Sequence, residues 1–308
     1  MRTALLSAWN ACIKSDESFE IIVVDNGSTD GSPGIVREFA SRYDGNVRLL
    51  SCHQPGVANA RNYGVEHSRS EWLQFLDADD TLMPDKLLCQ LARVRAAKWV
   101  IGGYQDLHFN HLRETFLPNA DPWKGLVHGN GIGHTGSNLI SRMAFDRVGG
   151  YDRRLRTAED LDLYGRLLAS GLEYYIDDNV RSFYHVHDCV SLSREDVGAC
   201  VNRRLGVFDR AIDYLRVERP KYWQREKDFF FQAIVNSARV LATYDLVQAA
   251  RWFDRYKNDT LALFHDGHSP HLPTYTRLYP YLGFRNVEAS RRVLARVLPA
   301  GLKARLKG

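Results

Sequence analysis

The chain has 308 residues, which is enough for one large domain or two of moderate size. Its 44% hydrophobic and 25% charged residues are the balance of an ordinary soluble globular protein, and a net charge of +4 is too small to indicate nucleic-acid binding. Five scattered cysteines without a CxxC pair favour reduced thiols in the cytosol over a disulfide framework or a zinc site. No stretch reaches the roughly 20 apolar residues of a membrane span, and the N-terminus lacks the apolar core of a signal peptide.

Short apolar runs alternate with helical patterns from residue 1 to about 195, which predicts an α/β fold with a mostly parallel sheet flanked by helices. The predicted strands are FEIIVVD, VRLLSC and EWLQFLD, and the predicted helices are GSPGIVREFASRY, GVANARNYGVEHS and PDKLLCQLARVRAA. The run FEIIVVD is continuous in β-branched residues, so we expect it to be buried on both faces.

From about residue 196 the strand patterns stop and apolar residues recur at helical spacing. The stripes are Val201, Leu205, Phe208, Ile212 and Leu215, then Phe230, Ile234, Ala238 and Leu241, then Leu246, Ala250 and Phe253. The sequence therefore predicts two domains, residues 1–195 and an all-helical extension of residues 196–308.

Acidic residues gather where two predicted strands end. Asp25 closes one strand, and Asp77, Asp79 and Asp80 follow another. Ligands of open parallel sheets bind beyond the carboxyl ends of the strands, and carboxylates spaced as DxD can share Mg²⁺ or Mn²⁺ while leaving room for substrate phosphates. The alternative is a solvated acidic turn that caps the next helix through Asp80 or Thr81.

Five motifs together resemble those of the family 2 glycosyltransferases, which have a Rossmann-like A-type fold. They are FEIIVVDNGSTDGS, GVANARNYG, WLQFLDADD, EDLDLYGRLL and YHVHDCVSLSR, in the family's order over roughly residues 3–195. The resemblance implies a catalytic domain that transfers a sugar, with inversion, from a nucleotide-sugar such as a UDP-sugar to a glycan or lipid-linked hydroxyl. It further implies a bound Mg²⁺ or Mn²⁺ and a place in cell-surface polysaccharide synthesis.

The resemblance assigns donor-binding roles to five residues. Asp25 would accept the imide N–H of the base, with Asn26 in a position where the family often has a second aspartate. Asp30 would lie on the base or ribose side, unless it is only a turn acid. Arg61 would reach the nucleotide, unless it is a solvated helix arginine. Asp77 would face the ribose.

The same resemblance implies the metal ligands Asp77, Asp79 and His187, with Asp80 ranked below Asp79. His185 lies two residues from His187 and would share its strand face, so the two are easily confused.

Glu159 and Asp160 begin a predicted helix that ends at Gly171. By resemblance Asp160 is the base that takes the proton of the acceptor hydroxyl, and Glu159 orients the site or binds the acceptor. The alternative is that both acids merely stabilise the positive end of the helix dipole, at about 0.3–1 kcal/mol each.

Residues upstream of that helix resemble the lining of the sugar and acceptor pocket. Gly136 and Ser137 would allow the backbone to approach the donor closely. Trp123, His128 and His134 would shape the acceptor side, although Trp123 could equally be an ordinary packed residue.

The usual first strand of the family, of the type VSVIIPxYN, is missing here, because Met1 falls inside the helix that should follow it. The expectation is a gap in the sheet with unpaired backbone. Either the true start lies upstream, or another segment fills the gap, or the chain is a degenerate and inactive copy.

The C-terminal segment, residues 290–308, predicts a basic amphipathic helix. Val293, Leu294, Val297 and Leu298 lie on one side and Arg292 and Arg296 on the other. Such a helix can lie on an anionic membrane surface, which would place a cytoplasmic enzyme at the inner membrane face. A solvated tail is the alternative.

Two other classes of function compete with the transferase. A Mg²⁺-dependent nucleotidyltransferase would carry a glycine-rich basic phosphate loop, which is absent, and no GxGxxG follows a strand as in a dehydrogenase. A nucleotide-sugar-binding remnant without activity is the non-enzyme alternative. The sugar, the nucleotide, the acceptor and the oligomeric state are not predicted.

Overall fold

The structure is a computed structural model that describes residues 1–43, 45–94, 96–108, 113–129, 131–186, 196–265 and 272–297. The chain divides into two compact units, Met1–Val190 and Ser191–Gly308. The division predicted from the sequence was placed after residue 195.

The first unit combines helices and strands in alternation. Its helices are α1 (Arg2–Ser15), α2 (Ser32–Arg42), α3 (Val57–Glu66), α4 (Lys86–Leu91), α5 (Pro122–Val127), α6 (Arg142–Arg147) and α7 (Glu159–Ala169), with a 3₁₀ turn at Thr135–Ser137. Its strands are β1 (Ile21–Asp25), β2 (Val47–Ser51), β3 (Trp72–Leu73), β4 (Thr81–Leu82), β5 (Trp99–His108), β6 (Arg113–Phe116), β7 (Leu139–Ser141) and β8 (Tyr174–Val186). The predicted α/β fold is thus confirmed.

The strands form two sheets with mixed pairing. Parallel β1 and β2 make one, and the other has the order β3-β7-β5-β8-β4 with β6 on β5. In the larger sheet β5 and β8 are parallel and the other pairs are antiparallel. The expectation of a mostly parallel sheet is therefore corrected: β5 and β6, for example, are joined by only residues 109–112, too few for a parallel crossover.

Two predicted elements are shorter than their sequence patterns. The run EWLQFLD forms a strand only at Trp72–Leu73, after which the chain leaves the ladder and carries its acids in a turn. Helix α4 ends at Leu91, well before the end of PDKLLCQLARVRAA. Apolar periodicity predicted both elements but not their ends, which depend on pairing partners elsewhere in the chain.

Strand β1 is less buried than its sequence predicts. All five positions are only partly buried, although four of them are Ile or Val. Within the described residues β1 pairs only with β2, so its other edge has no ladder partner. The expectation of burial on both faces is wrong for this reason.

Helix α1 joins the two sheets through two apolar clusters. Leu5 packs with Val36, Phe39 and Val47 beside β2, while Ala11 and Cys12 pack with Leu82, Leu87, Val100 and Leu139 beside the larger sheet. Ile21 of β1 contacts both clusters. The N-terminal helix therefore fixes the two strand edges at which the acidic residues emerge.

The second unit is helical in every described element, as predicted. Its helices are α8 (Val197–Glu218), α9 (Pro220–Tyr244), α10 (Leu246–Arg255), α11 (Lys257–His265), α12 (Tyr279–Leu282) and α13 (Phe284–Val297), with a 3₁₀ turn at Thr274–Leu278. The predicted stripe of Phe230, Ile234, Ala238 and Leu241 is buried, whereas in α10 the buried small residue is Ala249 rather than Ala250. Within the described residues no helix is both long and apolar enough to cross a bilayer.

A fully buried lysine lies beneath the acidic edge of the sheet. The Lys86 ammonium donates to Gln74 Oε1 at 2.5 Å and to Gln90 Oε1 at 2.6 Å, with 0% of the residue exposed. Gln74 in turn donates to the Gly136 carbonyl, and Gln90 to Asp177. Burial lowers the pKa of Lys86 to about 7, in opposition to the Asp177 carboxylate.

We expect Lys86 to make the stability of the first unit depend on pH. Between about pH 7 and the ordinary lysine pKa near 10.5, the unfolded chain holds a proton that the folded chain does not, so folding becomes more favourable as pH rises. The free energy of unfolding should therefore rise from pH 7 to pH 9 more in the wild type than in Lys86→Met, by up to about 1.4 kcal/mol per pH unit. Urea unfolding at both pH values measures this, with exposed Lys14→Met as the control; parallel profiles for wild type and Lys86→Met would contradict it.

Candidate active site

A single arginine connects two acids that are far apart in sequence. Arg61, on α3, donates to Asp77 Oδ1 at 2.7 Å and to Glu159 Oε1 at 2.9 Å, and its guanidinium lies 5.2 Å from the centre of the Tyr151 ring. Burial alone would lower the pKa of Arg61, but the Asp77 carboxylate and its neighbours raise it well above the ordinary value. A charge buried in this way is held by its partners, so Arg61 is not a solvated helix arginine.

The turn after β3 presents its three acids differently. Asp79 is exposed, whereas Asp80 is only 1% exposed and accepts the His185 backbone N–H at 3.0 Å through Oδ1. Burial, together with the nearby carboxylates of Asp77 and Asp79, raises the pKa of Asp80 to about 8. The arginine contact instead keeps the pKa of Asp77 below its ordinary value, against the effect of burial.

His134 completes this cluster from another part of the chain. Its Nε2 lies 3.4 Å from Asp80 Oδ2, while its Nδ1 accepts the Gly136 backbone N–H at 3.2 Å. A neutral imidazole that accepts at Nδ1 carries its proton on Nε2, so the Nε2–H lies near the Asp80 carboxyl group without a hydrogen bond to it. Burial lowers the pKa of His134 despite the nearby Asp77 carboxylate, which keeps the ring neutral.

The loop that carries His134 is held closed by its own polar groups. The Ser137 hydroxyl accepts the His134 backbone N–H at 2.8 Å and donates to the His134 carbonyl at 2.9 Å. The loop lies directly on β5, where a Cβ added at Gly102 would come within 2.3 Å of the Ser137 carbonyl oxygen. Gly136 and Ser137 are both buried, so they position His134 rather than present side chains to a ligand.

Glu159 and Asp160 form the first turn of α7, as predicted. The residue before them, Ala158, has a left-handed backbone with φ of +61°, a conformation that costs an alanine roughly 1 kcal/mol. This turn directs Glu159 to Arg61, and burial together with the Asp160 carboxylate raises the pKa of Glu159 to about 7. Asp160 is half-buried, and its Oδ1 accepts the Leu161 N–H at 2.7 Å. Its charge also acts on the pKa of His134, which places it beside the same cluster.

The residues predicted to hold the nucleotide base lie at the end of β1, where Asp25 is partly buried, and in the following loop, where Asp30 is exposed. Asp25 accepts the Ser28 N–H at 2.9 Å, and Asp30 accepts the Ser32 N–H at 3.0 Å at the start of α2. Hydrogen bonds from Ser28 and Ser32 lower the pKa of Asp25 and Asp30 respectively, so both are carboxylates at neutral pH.

Asn26 has its amide fully engaged within the protein. It donates to the carbonyls of Cys52 and Gln54 and accepts the Gly56 N–H, and so braces the loop before α3. The second aspartate common in the family could not make the two donations, which explains the asparagine here.

The remaining predicted residues are placed less favourably or are not described. Trp123 is only 4% exposed, so neither ring face is open to stack on a sugar, and His128 is exposed on the surface. His187 lies outside the described residues.

Three contacts of the site involve residues that the sequence reasoning did not assign. Tyr151 contacts Arg61, Tyr104 contacts His134, and Gln74 contacts Gly136. No sequence signal marks them, because each contact joins distant segments.

A surface cavity of about 700 Å³ beside Tyr151 is distinct from this cluster. Its lining includes Arg142, Arg153, Arg154 and Arg166 but none of Asp77, Asp80, Glu159 and Asp160. Each of those four arginines is bonded to a carbonyl or a carboxylate of the protein.

The acidic cluster fits a divalent cation. Ligand atoms from Asp77, Asp80 and His134 all lie within 4.8 Å of one another. Asp80 Oδ2 is buried without a hydrogen-bond partner in the described residues, because the approach of His134 is too poorly aligned for a bond. Buried carboxylate oxygens near further acids are deficient in positive charge, and oxygen ligands suit Mg²⁺ or Mn²⁺. Asp80 lies beside Asp77 in this group, while Asp79, the ligand predicted from the sequence, is exposed in the same turn.

Two curated proteins illustrate the sequence relatives of this chain. It is 34% identical over 89 residues to the minor teichoic acid biosynthesis protein GgaA of Bacillus subtilis, covering 28% of this chain and 20% of that protein. It is 26% identical over 196 residues to the succinoglycan biosynthesis protein ExoO of Rhizobium meliloti, covering 58% of this chain and 56% of that protein. The chain therefore spans about a fifth of the one and just over half of the other.

Solved structures agree on the fold. The crystal structure of S. aureus TarS 1-349 in complex with UDP matches with a TM-score of 0.56 at 14% identity, over 94% of this chain and 88% of that one. The mannosyltransferase PcManGT from Pyrobaculum calidifontis in complex with GDP-Man and Mn²⁺ matches with a TM-score of 0.51 at 17% identity, over 94% and 84%.

The family is identified by residues 2–149, which match the family model of Glycosyl transferase family 2. This range contains α1, both strands of the smaller sheet, Arg61 and the acids of the turn after β3. Residues 2–149 therefore carry a family 2 glycosyltransferase domain, and the chain has the A-type fold.

Proposed function

We propose that this protein transfers a sugar, with inversion, from a nucleotide-sugar to a hydroxyl of a glycan or lipid-linked acceptor in cell-surface polysaccharide synthesis. The observation that carries the proposal is the bridge from Asp77 through Arg61 to Glu159, which joins the acidic turn to the start of α7. The acids that would hold the cation for the diphosphate must lie beside a proton acceptor for a displacement at the anomeric carbon.

A UDP-sugar is the donor we favour. Asp25 is a partly buried carboxylate at the end of β1, which suits the imide N–H of uracil. The UDP bound to S. aureus TarS supports this choice, although the GDP-Man bound to PcManGT shows that another neighbour of the same fold takes a guanine nucleotide.

Asp160 is the proposed base. In an inverting transfer the acceptor hydroxyl attacks opposite the leaving diphosphate, and the carboxylate takes its proton as the new bond forms. Glu159, held by Arg61, keeps the first turn of α7 in place, while the raised pKa of Glu159 makes it a poor second carboxylate at neutral pH.

Asp77 and Asp80 would hold the divalent cation, with Asp79 at the exposed side of the same turn. When bound, Mg²⁺ or Mn²⁺ would neutralise the charge that develops on the leaving diphosphate. Lys86, Gln74 and Gly136 fix the loop of His134 against this turn, so the protein supplies a preformed site.

The test is a donor screen with and without Mn²⁺, in which release of nucleoside diphosphate from UDP-sugars and from GDP-mannose is measured with polysaccharide-repeat acceptors. Cation-dependent transfer to one acceptor supports the proposal. Donor binding with no transfer or hydrolysis for any pair would contradict it and indicate a nucleotide-sugar-binding protein.

We further propose that the C-terminal helices contact an anionic membrane surface. The segment 278–294 exposes large apolar side chains beside arginines. They are Leu278, Tyr281, Leu282, Val293 and Leu294, together with the exposed Arg277 and Arg285. Apolar insertion combined with basic charge suits the headgroup region of anionic lipids.

In sedimentation with vesicles, we expect the protein to bind those containing anionic phospholipid and not neutral ones. Tyr281→Ser with Leu282→Ser should reduce the bound fraction at least severalfold, because both side chains are more than half exposed and so can insert. The matched control is the exposed Val217→Ser, on α8. Equal binding by the double variant, or none by the wild type, would contradict the proposal.

A further inference from the structure

The hairpin of β5 and β6 carries a second group of metal-binding side chains. In its register Tyr104 is opposite Phe116, and Asp106 is opposite Glu114. Because side chains alternate along a strand, Tyr104, Asp106 and His108 share one face with their cross-strand partners. The Tyr104 and Phe116 rings stack with centres 5.0 Å apart, which confirms that paired residues meet on that face.

Two polar atoms of this face are buried without hydrogen-bond partners, and they lie beside the exposed Glu114. Ligand atoms of Asp106, His108 and Glu114 all lie within 4.8 Å of one another. Asp106 Oδ1 and His108 Nε2 are buried without a hydrogen-bond partner, and no lysine or arginine of the described residues forms an ion pair with either acid. Like charges directly opposite each other destabilise a hairpin, and each unpaired buried group costs about 1–3 kcal/mol.

We propose that Asp106, His108 and Glu114 form a second cation site that binds Zn²⁺, separate from the acids of the turn after β3. One imidazole and two carboxylates are a ligand set that suits Zn²⁺, and three protein ligands leave a fourth position for water or an anionic group. At zinc–ligand distances near 2.1 Å, tetrahedral ligand atoms are about 3.4 Å apart. Side-chain rotations that move the ligand atoms by little more than 1 Å would therefore bring them from the present separation of at most 4.8 Å to the spacing around an ion.

The proposed Zn²⁺ site lies on the hairpin face that contacts the loop of His134. Tyr104 lies on the same hairpin face, and its ring is 5.4 Å from that of His134. An ion here would neutralise the opposed acids and fix the end of the hairpin beside the active-site loop. This inference does not depend on the proposed transferase activity.

Metal binding by the full-length protein tests the proposal without any donor. Equilibrium dialysis against Zn²⁺, with bound metal measured by atomic emission, is done in an Asp80→Asn background so that the turn after β3 contributes little. We expect one tightly bound ion. His108→Ala and Glu114→Gln should each weaken binding at least 100-fold, since even the loss of an outer partner of a ligand costs 10–100-fold. The surface variant His128→Ala should leave it unchanged.

Thermal unfolding provides a second measurement on the same proteins. Zn²⁺ should raise the melting temperature of the Asp80→Asn protein but not that of its His108→Ala and Glu114→Gln derivatives, whose metal-free melting temperatures report whether they fold. Unchanged Zn²⁺ affinity in His108→Ala, or equal weakening in His128→Ala, would overturn the proposal.

Discussion

Asp160→Asn lowers turnover by about 10²–10⁴-fold if Asp160 is the base, because asparagine cannot accept the proton of the acceptor hydroxyl. The amide oxygen of the variant can still accept the Leu161 N–H, so the first turn of α7 should be retained. Nucleotide binding should also remain, since Asp160 does not contact Arg61. Initial rates of transfer, together with calorimetric binding of the nucleoside diphosphate, measure both effects.

Asp162→Asn is the matched control for this variant. Asp162 lies in the same first turn of α7 but is bonded to Arg166 on the same helix. If the acids only stabilised the helix dipole, Asp160→Asn would lose about 0.3–1 kcal/mol of stability and neither variant would lose turnover. Near-normal turnover in Asp160→Asn would show that the base lies elsewhere.

The strands and helices that frame the site follow from sequence patterns, and so does the assignment to the family. Apolar runs identified β1, β2 and the start of β3, and the motif around Asp160 identified the beginning of α7. These features are local, because periodicity and capping act over a few residues. The same locality explains why β3 ends at Leu73 instead of continuing to Asp77.

The arrangement of the cluster could not be predicted in the same way. DxD spacing favours Asp79 over Asp80, but Asp80 is the buried acid, because His134 and the His185 backbone approach it from segments about 50 and 100 residues away, respectively. Trp123 is typical of a sugar-stacking residue by composition, yet it packs inside. Burial depends on tertiary packing, so the sequence alone does not predict which of neighbouring acids is buried and has a shifted pKa.

Asp80→Asn should separate cation binding from stability. In the metal-free protein the folded state raises the pKa of Asp80 to about 8, so the folded chain holds a proton that the unfolded chain releases above the ordinary value of 3.8. The contribution of Asp80 to the free energy of unfolding therefore falls as the pH rises from 3.8 to about 8. Replacing Asp80 by uncharged asparagine should stabilise the metal-free protein at pH 8. A donor–donor contact between the new amide and His134 Nε2 reduces the gain, so we expect on the order of 1–3 kcal/mol.

The same substitution should abolish the response to the cation. Mn²⁺ should raise the melting temperature of the wild type and of exposed Asp79→Asn, but not that of Asp80→Asn, which should also lose at least 10²-fold in Mn²⁺-dependent turnover because the leaving diphosphate is no longer neutralised. Differential scanning calorimetry at pH 8 with and without Mn²⁺ measures both effects on stability. The proposal would be wrong if Asp80→Asn were destabilised but its melting temperature still rose with Mn²⁺, while that of Asp79→Asn did not. Asp79 would then be the metal ligand. Asp80 would then act only through the His185 backbone, as a buried brace for the turn.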